Sequence, residues 1–295
     1  MSEQENKEKI LQLEKDLAKK DLEILNYKKD LLVLNHKIES LVTQMQGQLQ
    51  WAQTIQKLLS PTELPAIPGF EFSTKFIPGL RGGGDYFDIF EHEDKFRFGI
   101  FISSCSGYSI SSLLLSLVIK ISAQIESRKG MSPELVIQKL GIDLASQVQN
   151  QEKASVFYGV IDRRNFEMKY CLVGSIDVFL QSFGQESPQR ISSCGEPLSK
   201  DFSFLPTLET LQMKSKDRLI LATEGLKNSQ DKSQCYWGSL GLEQSILKAP
   251  RQGVHELRNE IFYQNEKFTG KTEPDRDQTV IIGQVKENLI MLAKN

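Results

Sequence analysis

An uninterrupted heptad repeat between residues 8 and 59 constrains this chain more than any other feature. With Ile10 as position a, the a series is Ile10, Leu17, Ile24, Leu31, Ile38, Met45, Ala52 and Leu59. The d series is Leu13, Lys20, Tyr27, Leu34, Leu41, Gln48 and Ile55. All eight a positions and five of the seven d positions are apolar, which is the 3.5-residue period of a coiled coil. Charged neighbours such as Glu14, Lys15, Lys19 and Asp21 keep the seam narrow, unlike the wide face of a helix laid on a globule. Ile at a with mainly Leu at d favours a parallel dimer. The alternative is one long helix folded back on its own domain. Gly47 is the first weak point and Pro61 the stop.

After Pro61 the pattern changes. Pro65, Pro68, Pro78, Gly69 and Gly79 mark a linker and extended segments. Alternating or continuous apolar runs predict strands over 71–77, 85–90, 95–102, 155–161, 168–173, 178–181, 207–213, 218–222 and 278–285. Helical spacing is present over 110–124, 133–149, 241–249 and 254–264. Strands outnumber helices and their connections read as hairpins, so the fold class is α+β, an antiparallel sandwich rather than alternating βαβ units. The two domains expected are a coiled coil over 1–60 and a globular domain over 61–290.

A net charge of -2 and a pI near 6.1 give no electrostatic reason to expect nucleic acid. No apolar run reaches a membrane span, and the charged N-terminus lacks the apolar core of a signal peptide. Cys105, Cys171, Cys194 and Cys235 are scattered and form no C-x-x-C pair, against zinc and against a disulfide framework. These features predict a cytoplasmic protein. Walker, HExxH, GxSxG and dinucleotide signatures are absent from the sequence.

The chemistry-bearing stretch is Gly82-Gly83-Gly84-Asp85-Tyr86-Phe87-Asp88, where glycines turn the chain sharply and deliver a carboxylate to a strand start. Such a carboxylate either caps a turn or holds a metal. Five further segments follow in order: Gln56–Pro61 lies upstream, then Ser104-Cys105-Ser106-Gly107, Phe157–Asp162, Asp217–Leu226 and Arg276–Val280. Together, across about residues 55–286, these segments resemble the PPM-type metal-dependent serine/threonine phosphatases. The bacterial branch typified by stage II sporulation protein E and RsbU is the most similar.

The resemblance implies an αββα sandwich of two antiparallel sheets flanked by helices. It also implies a centre in which two Mn²⁺ or Mg²⁺ ions activate a water. Paired dications need anionic ligands between them. On the family's four aspartate positions this sequence has Asp85, Ser104, Glu224 and Arg276, with Asp277 one place further on. The family's Ala-Gly-His reads Val173-Gly174-Ser175. Four negative charges have become one net, because Ser104 is neutral and Arg276 carries a fixed positive charge. The expectation is therefore a degenerate metal centre in which Arg276 pairs with Glu224, Asp85 or both. If a metal is kept, Asp85, Glu224 and Asp277 would hold it, with Asp275 or Asp88 as substitutes.

Cys105 on the site loop reads as a buried hydrophobe rather than a nucleophile, since no histidine lies near it in sequence. Ser103, Ser104 and Ser106 read as turn hydrogen-bonders, His92 as part of a charged hairpin, and 201–206 as an exposed loop. Trp51 and Trp237 read as packing residues.

The function expected is that of a bacterial signalling pseudophosphatase: a homodimer needing no cofactor, which binds a phosphoprotein or signalling regulator in partner switching. The first rival is an active Mn²⁺- or Mg²⁺-dependent phosphatase with a rearranged site. The second is a coiled-coil scaffold.

Overall fold

The computed structural model describes residues 3–59, 64–80, 84–106, 109–128, 130–145, 152–193, 195–251 and 253–286. Pro61, Arg81, Gly82, Gly83, Gly107 and the expected helical residues 146–149 lie outside these. The chain divides into two units, Met1–Trp51 and Ala52–Asn295. A single long helix, α1 (Glu3–Leu59), supplies the first unit. Its heptad residues are open to solvent in the single chain: Ile10 is 57% exposed, Leu17 62%, Ile24 50%, Leu31 57% and Ile38 50%. Among the described residues no helix is long and apolar enough to cross a membrane.

The second unit consists of two five-stranded sheets, with every pairing antiparallel. The first has the order β1 (Phe70–Ile77), β10 (Gln278–Val285), β9 (Arg218–Ala222), β6 (Asp177–Gln181), β7 (Gln189–Ile191). The second runs β2 (Gly84–Glu91), β3 (Arg97–Ser106), β4 (Lys153–Asp162), β5 (Glu167–Val173), β8 (Glu209–Gln212). Strand periodicity builds three apolar layers from them. Phe98, Ile100 and Ile102 of β3 meet Leu219, Leu221 and Ile281 between the sheets. Phe101 and Cys105, on the other face of β3, meet Leu115 and Ile119 of α2 (Ser109–Arg128) and Val136 and Leu140 of α3 (Pro133–Ala145). On the far side Ile220 and Ile282 meet α5 (Gly238–Lys248) and α6 (Val254–Thr269) through Leu242, Ile246, Leu257 and Ile261. This is the antiparallel α+β sandwich that the alternating runs predicted, with the αββα layering that the resemblance implied.

Several local expectations change. Strand β7 and the one-turn helix α4 (Glu224–Lys227) carry no sequence signal, being too short for periodicity to register. Residues 201–206 do not form a free loop. Phe202 and Phe204 lie 4.7 Å apart by ring centroids and pack on the α2–α3 layer, covering Gly141 and Gly195. His92 is buried rather than set in a solvated hairpin, with a ring nitrogen 3.4 Å from the Tyr158 hydroxyl. Trp237 packs as expected, over Gly241, whereas Trp51 is exposed.

A Cβ added to Gly141 would lie 2.2 Å from the Phe202 ring. Alanine gains about 1 kcal/mol of helix propensity at such a site. Forcing the ring out costs about 1–3 kcal/mol. Gly141→Ala should therefore lower the urea midpoint of unfolding despite the better helix former. A raised midpoint would mean that the 201–206 segment yields freely.

Candidate functional site

The candidate site forms where the two sheets come together at one end, and strand register dictates its composition. Asp85 on β2 stands opposite Ser104 on β3, and Ser104 stands opposite Ser155 on β4. From the other sheet, Thr223 follows β9 and Thr279 lies on β10. The two are locked together, since Thr223 N–H donates to the Thr279 carbonyl at 3.0 Å and Thr279 N–H donates to Thr223 Oγ1 at 2.9 Å. Both hydroxyls then donate to Asp85 Oδ2, Thr223 at 2.6 Å and Thr279 at 2.8 Å. Ser104 also hydrogen-bonds the same carboxyl. Thr223 occupies the position preceding α4 but does not cap that helix, because its hydroxyl is committed to Asp85.

A second carboxylate, Asp277, is buried beside the first. Its Oδ1 accepts Gly79 N–H at 2.8 Å and its Oδ2 accepts Asp85 N–H at 3.4 Å. Asp85 is 5% exposed and Asp277 2%. Burial, then the charge of Asp277, push Asp85 up to about 8 against the pull of its three hydroxyl partners. Glu224, at the start of α4, is half-buried and accepts the Ser155 hydroxyl at 2.6 Å, while Ser155 Oγ accepts Ser175 N–H at 3.1 Å. Ser175, where the family has histidine, therefore serves the site through its backbone.

Two glycines are required by close approach. A Cβ on Gly84 would meet the Ser112 carbonyl oxygen at 2.4 Å, and one on Gly225 would meet the Asp277 carbonyl oxygen at 1.8 Å. The Asp277 backbone is thus pressed against α4 and cannot shift without moving Glu224.

The expected pairing of Arg276 with Glu224 or Asp85 does not occur. Arg276 is exposed, and neither an ion pair nor a side-chain hydrogen bond joins it to another described residue. Arg276 lies in the bend before β10, and within the strand that follows Thr279 turns to Asp85 while Gln278 turns away, to Ser229 and Asn265. The two substitute ligands fail as well. Asp275 is held at 2.8 Å by Lys271. Asp88 lies on the helix-facing side of β2, where its Oδ2 accepts the Tyr86 hydroxyl at 2.9 Å and Gln124 at 3.3 Å.

Cys105 is buried, and its thiol is pushed up, first by burial and then by Asp85, Glu152, Asp277 and Glu224, which suits packing and not nucleophilic attack. Ser103 and Ser104 belong to β3 rather than a turn, and Ser103 Oγ has no hydrogen-bond partner among the described residues. Thr223, Thr279, Ser155 and Glu152 were not singled out from the sequence. The two threonines sit inside the quoted segments, but counting acids alone passes over them.

As a metal centre this donor set fits poorly. The position between the expected cations has the neutral Ser104. Asp277 spends both oxygens on backbone amides and Asp85 one oxygen on two threonines. Among the described residues no three His, Cys, Asp or Glu side chains stand close enough to hold an ion. Three carboxylates and a serine hydroxyl are not what two dications at close spacing call for.

The comparisons agree with this architecture. Residues 94–286 match the Stage II sporulation protein E (SpoIIE) domain. The RsbU and RsbW domains of a Mycobacterium tuberculosis protein superpose with TM-score 0.66 at 14% identity, over 78% of this chain and 64% of that one. The SiaA PP2C domain of Pseudomonas aeruginosa superposes with TM-score 0.68 at 16% identity, over 84% and 98%. The catalytic domain of the serine/threonine phosphatase PstP, solved with two manganese ions, superposes with TM-score 0.54 at 12% identity, over 74% and 99%. At these identities the likeness is one of fold. No curated protein matches in sequence.

Asp85 has its folded-state pKa above its ordinary 3.8, so the folded chain binds this proton more tightly than the unfolded chain. Its contribution to stability is full below about pH 4 and is lost as pH rises towards 8. Asp85→Asn, which keeps a neutral hydrogen-bonding group, should raise the melting temperature of the chelator-treated protein at pH 8 and change it little at pH 4. An equal effect at both pH values would mean that the carboxyl is not held protonated.

Proposed function

We infer that in this chain, which belongs to the Stage II sporulation protein E (SpoIIE) family, the phosphatase-like domain works as a regulatory binding module. Ser104 carries this reading. At the position where the family resemblance asks for the acid shared by both cations, a hydroxyl hydrogen-bonds the neighbouring Asp85 instead. The hydroxyls of Thr223 and Thr279 and the backbone amides on Asp277 support the same reading, because they already satisfy carboxylate oxygens that a cation would otherwise need. The fixed charge of Arg276 no longer contributes, since that side chain lies outside the carboxylate cluster.

In this reading residues 1–60 form a dimerising coiled coil and 61–290 the phosphatase-like domain of a cytoplasmic bacterial signalling protein that requires no metal. The partner is a protein, either a phosphoprotein or a signalling regulator. The superposition on a chain that contains both RsbU and RsbW domains supports a setting of this kind. The exposed heptad residues of α1 support the dimer, because a seam of that length left in water is unfavourable by its apolar area.

Hydrolysis of phosphoserine peptides and of an aryl phosphate, with Mn²⁺ and with chelator, tests the catalytic part. The wild type should release no phosphate in a metal-dependent way. Ser104→Asp, alone and with Arg276→Asp, should gain Mn²⁺-dependent thermal stabilisation and some turnover. Clear Mn²⁺-dependent turnover in the wild type would sink the reading and identify Asp85, Glu224 and Asp277 as a sufficient ligand set.

Light scattering tests the dimer. The full chain should have twice its monomer mass of 33.5 kDa, and Ile24→Lys with Leu31→Lys should return it to one. A wild-type monomer would remove the coiled-coil dimer.

A further inference from the structure

A cavity of about 420 Å³ opens on the opposite face of the chain segment that carries Asp277, between α4, α6 and the adjoining ends of β1 and β10. Arg276 and Gln278 both line it, together with Lys75, Ser229, Asn265 and Tyr236. The floor is built and buried. Gln278 Nε2 donates to Ser229 Oγ at 2.9 Å and to Asn265 Oδ1 at 3.2 Å, and Asn265 Nδ2 donates to the Leu226 carbonyl at 3.3 Å.

The charges on the rim are unevenly satisfied. Lys271 is tied to Asp275 at 2.8 Å. The Lys75 ammonium rests over the Phe262 ring, 4.6 Å from its centroid, rather than on a carboxylate. Arg276 has no partner at all among the described residues. With Lys271 and Asp275 cancelling, the lining keeps two cations, Lys75 and Arg276, against the single carboxylate of Glu266. A planar guanidinium fork without a partner, lining the same cavity as a second cation over a floor of fixed amides, suits a compact dianion with several acceptor oxygens.

We propose that this cavity is a binding site for a phosphomonoester, held by Arg276 and Lys75 and distinct from the Asp85–Asp277 cluster. The proposal rests on the reading of the domain as a binding module and names what that module holds. It also assigns Arg276 a role that the carboxylate cluster denies it. Arg276 adjoins Asp277 in the chain, and the Asp277 carbonyl is wedged against Gly225 of α4. A ligand that draws on Arg276 therefore acts on a backbone with little freedom to absorb the movement.

Calorimetric titration of the full chain in chelator tests this, with inorganic phosphate, a degenerate phosphoserine peptide pool and the unphosphorylated pool as ligands. Phosphate and the phosphorylated pool should bind and compete, the unphosphorylated pool should not, and Arg276→Glu and Lys75→Ala should each weaken binding about tenfold or more. A phosphopeptide affinity well above that of phosphate assigns the ligand to a partner's side chain. Equal affinities assign it to a free phosphorylated metabolite. Binding unchanged in both variants, equal binding of the unphosphorylated pool, or no binding of any ligand would overturn the proposal. Phosphate release on adding Mn²⁺ to the same samples would sink the pseudophosphatase reading without touching the cavity, so the two failures are distinguishable.

Discussion

The buried carboxyl of Asp85 is the joint on which this domain depends. It belongs to one sheet by its backbone and to the other by its hydrogen bonds, accepting Thr223 and Thr279 from the strands across the sandwich. Elsewhere the sheets meet through apolar side chains, which give stability but little direction. Hydroxyls aimed at one oxygen fix the spacing and rotation of the sheet ends in a way that hydrophobic contact does not. In a metal-bound relative a cation would share this task. Here the hydroxyls of Thr223, Thr279 and Ser104 hold the carboxyl among protein groups alone, while burial and then the charge of Asp277 raise its pKa against the pull of those hydroxyls.

Most of the architecture was legible in the sequence because it rests on periodicity. Runs such as Phe98–Ile102 and Leu219–Ala222 carry apolar residues on both faces, and each is buried on both faces between a sheet and a helix layer. The long N-terminal helix was equally readable from its heptad. What escaped was short or contextual. Strand β7 has three residues, and Phe202 and Phe204 look like a loop until Gly141 and Gly195 are known to leave room for their rings.

The site was legible as a set of positions but not as a set of contacts. Placing motifs in order identified Asp85, Ser104, Glu224 and Asp277 correctly as neighbours of one sandwich end. The error was to count charge by motif position without asking which way each side chain points. Arg276 sits in a bend just before β10, where its place in a motif does not fix the direction of its side chain, and it is left exposed while Asp277 next to it is buried.

The segment 276–279 serves two surroundings at once. On one face it presents Asp277 and Thr279 to a carboxyl cluster; on the other it presents Arg276 and Gln278 to a polar cavity. A domain that used this segment only to hold cations would gain nothing from an arginine there, and one that had lost all use for it would not need Gly225 pressed against it. The substitutions at Ser104 and Arg276 are therefore better understood together. In the proposed reading the first spares the inner face a cation and the second places a fixed cation on the outer face, so that charge recognition moves across the segment leading into β10 without rebuilding the strand.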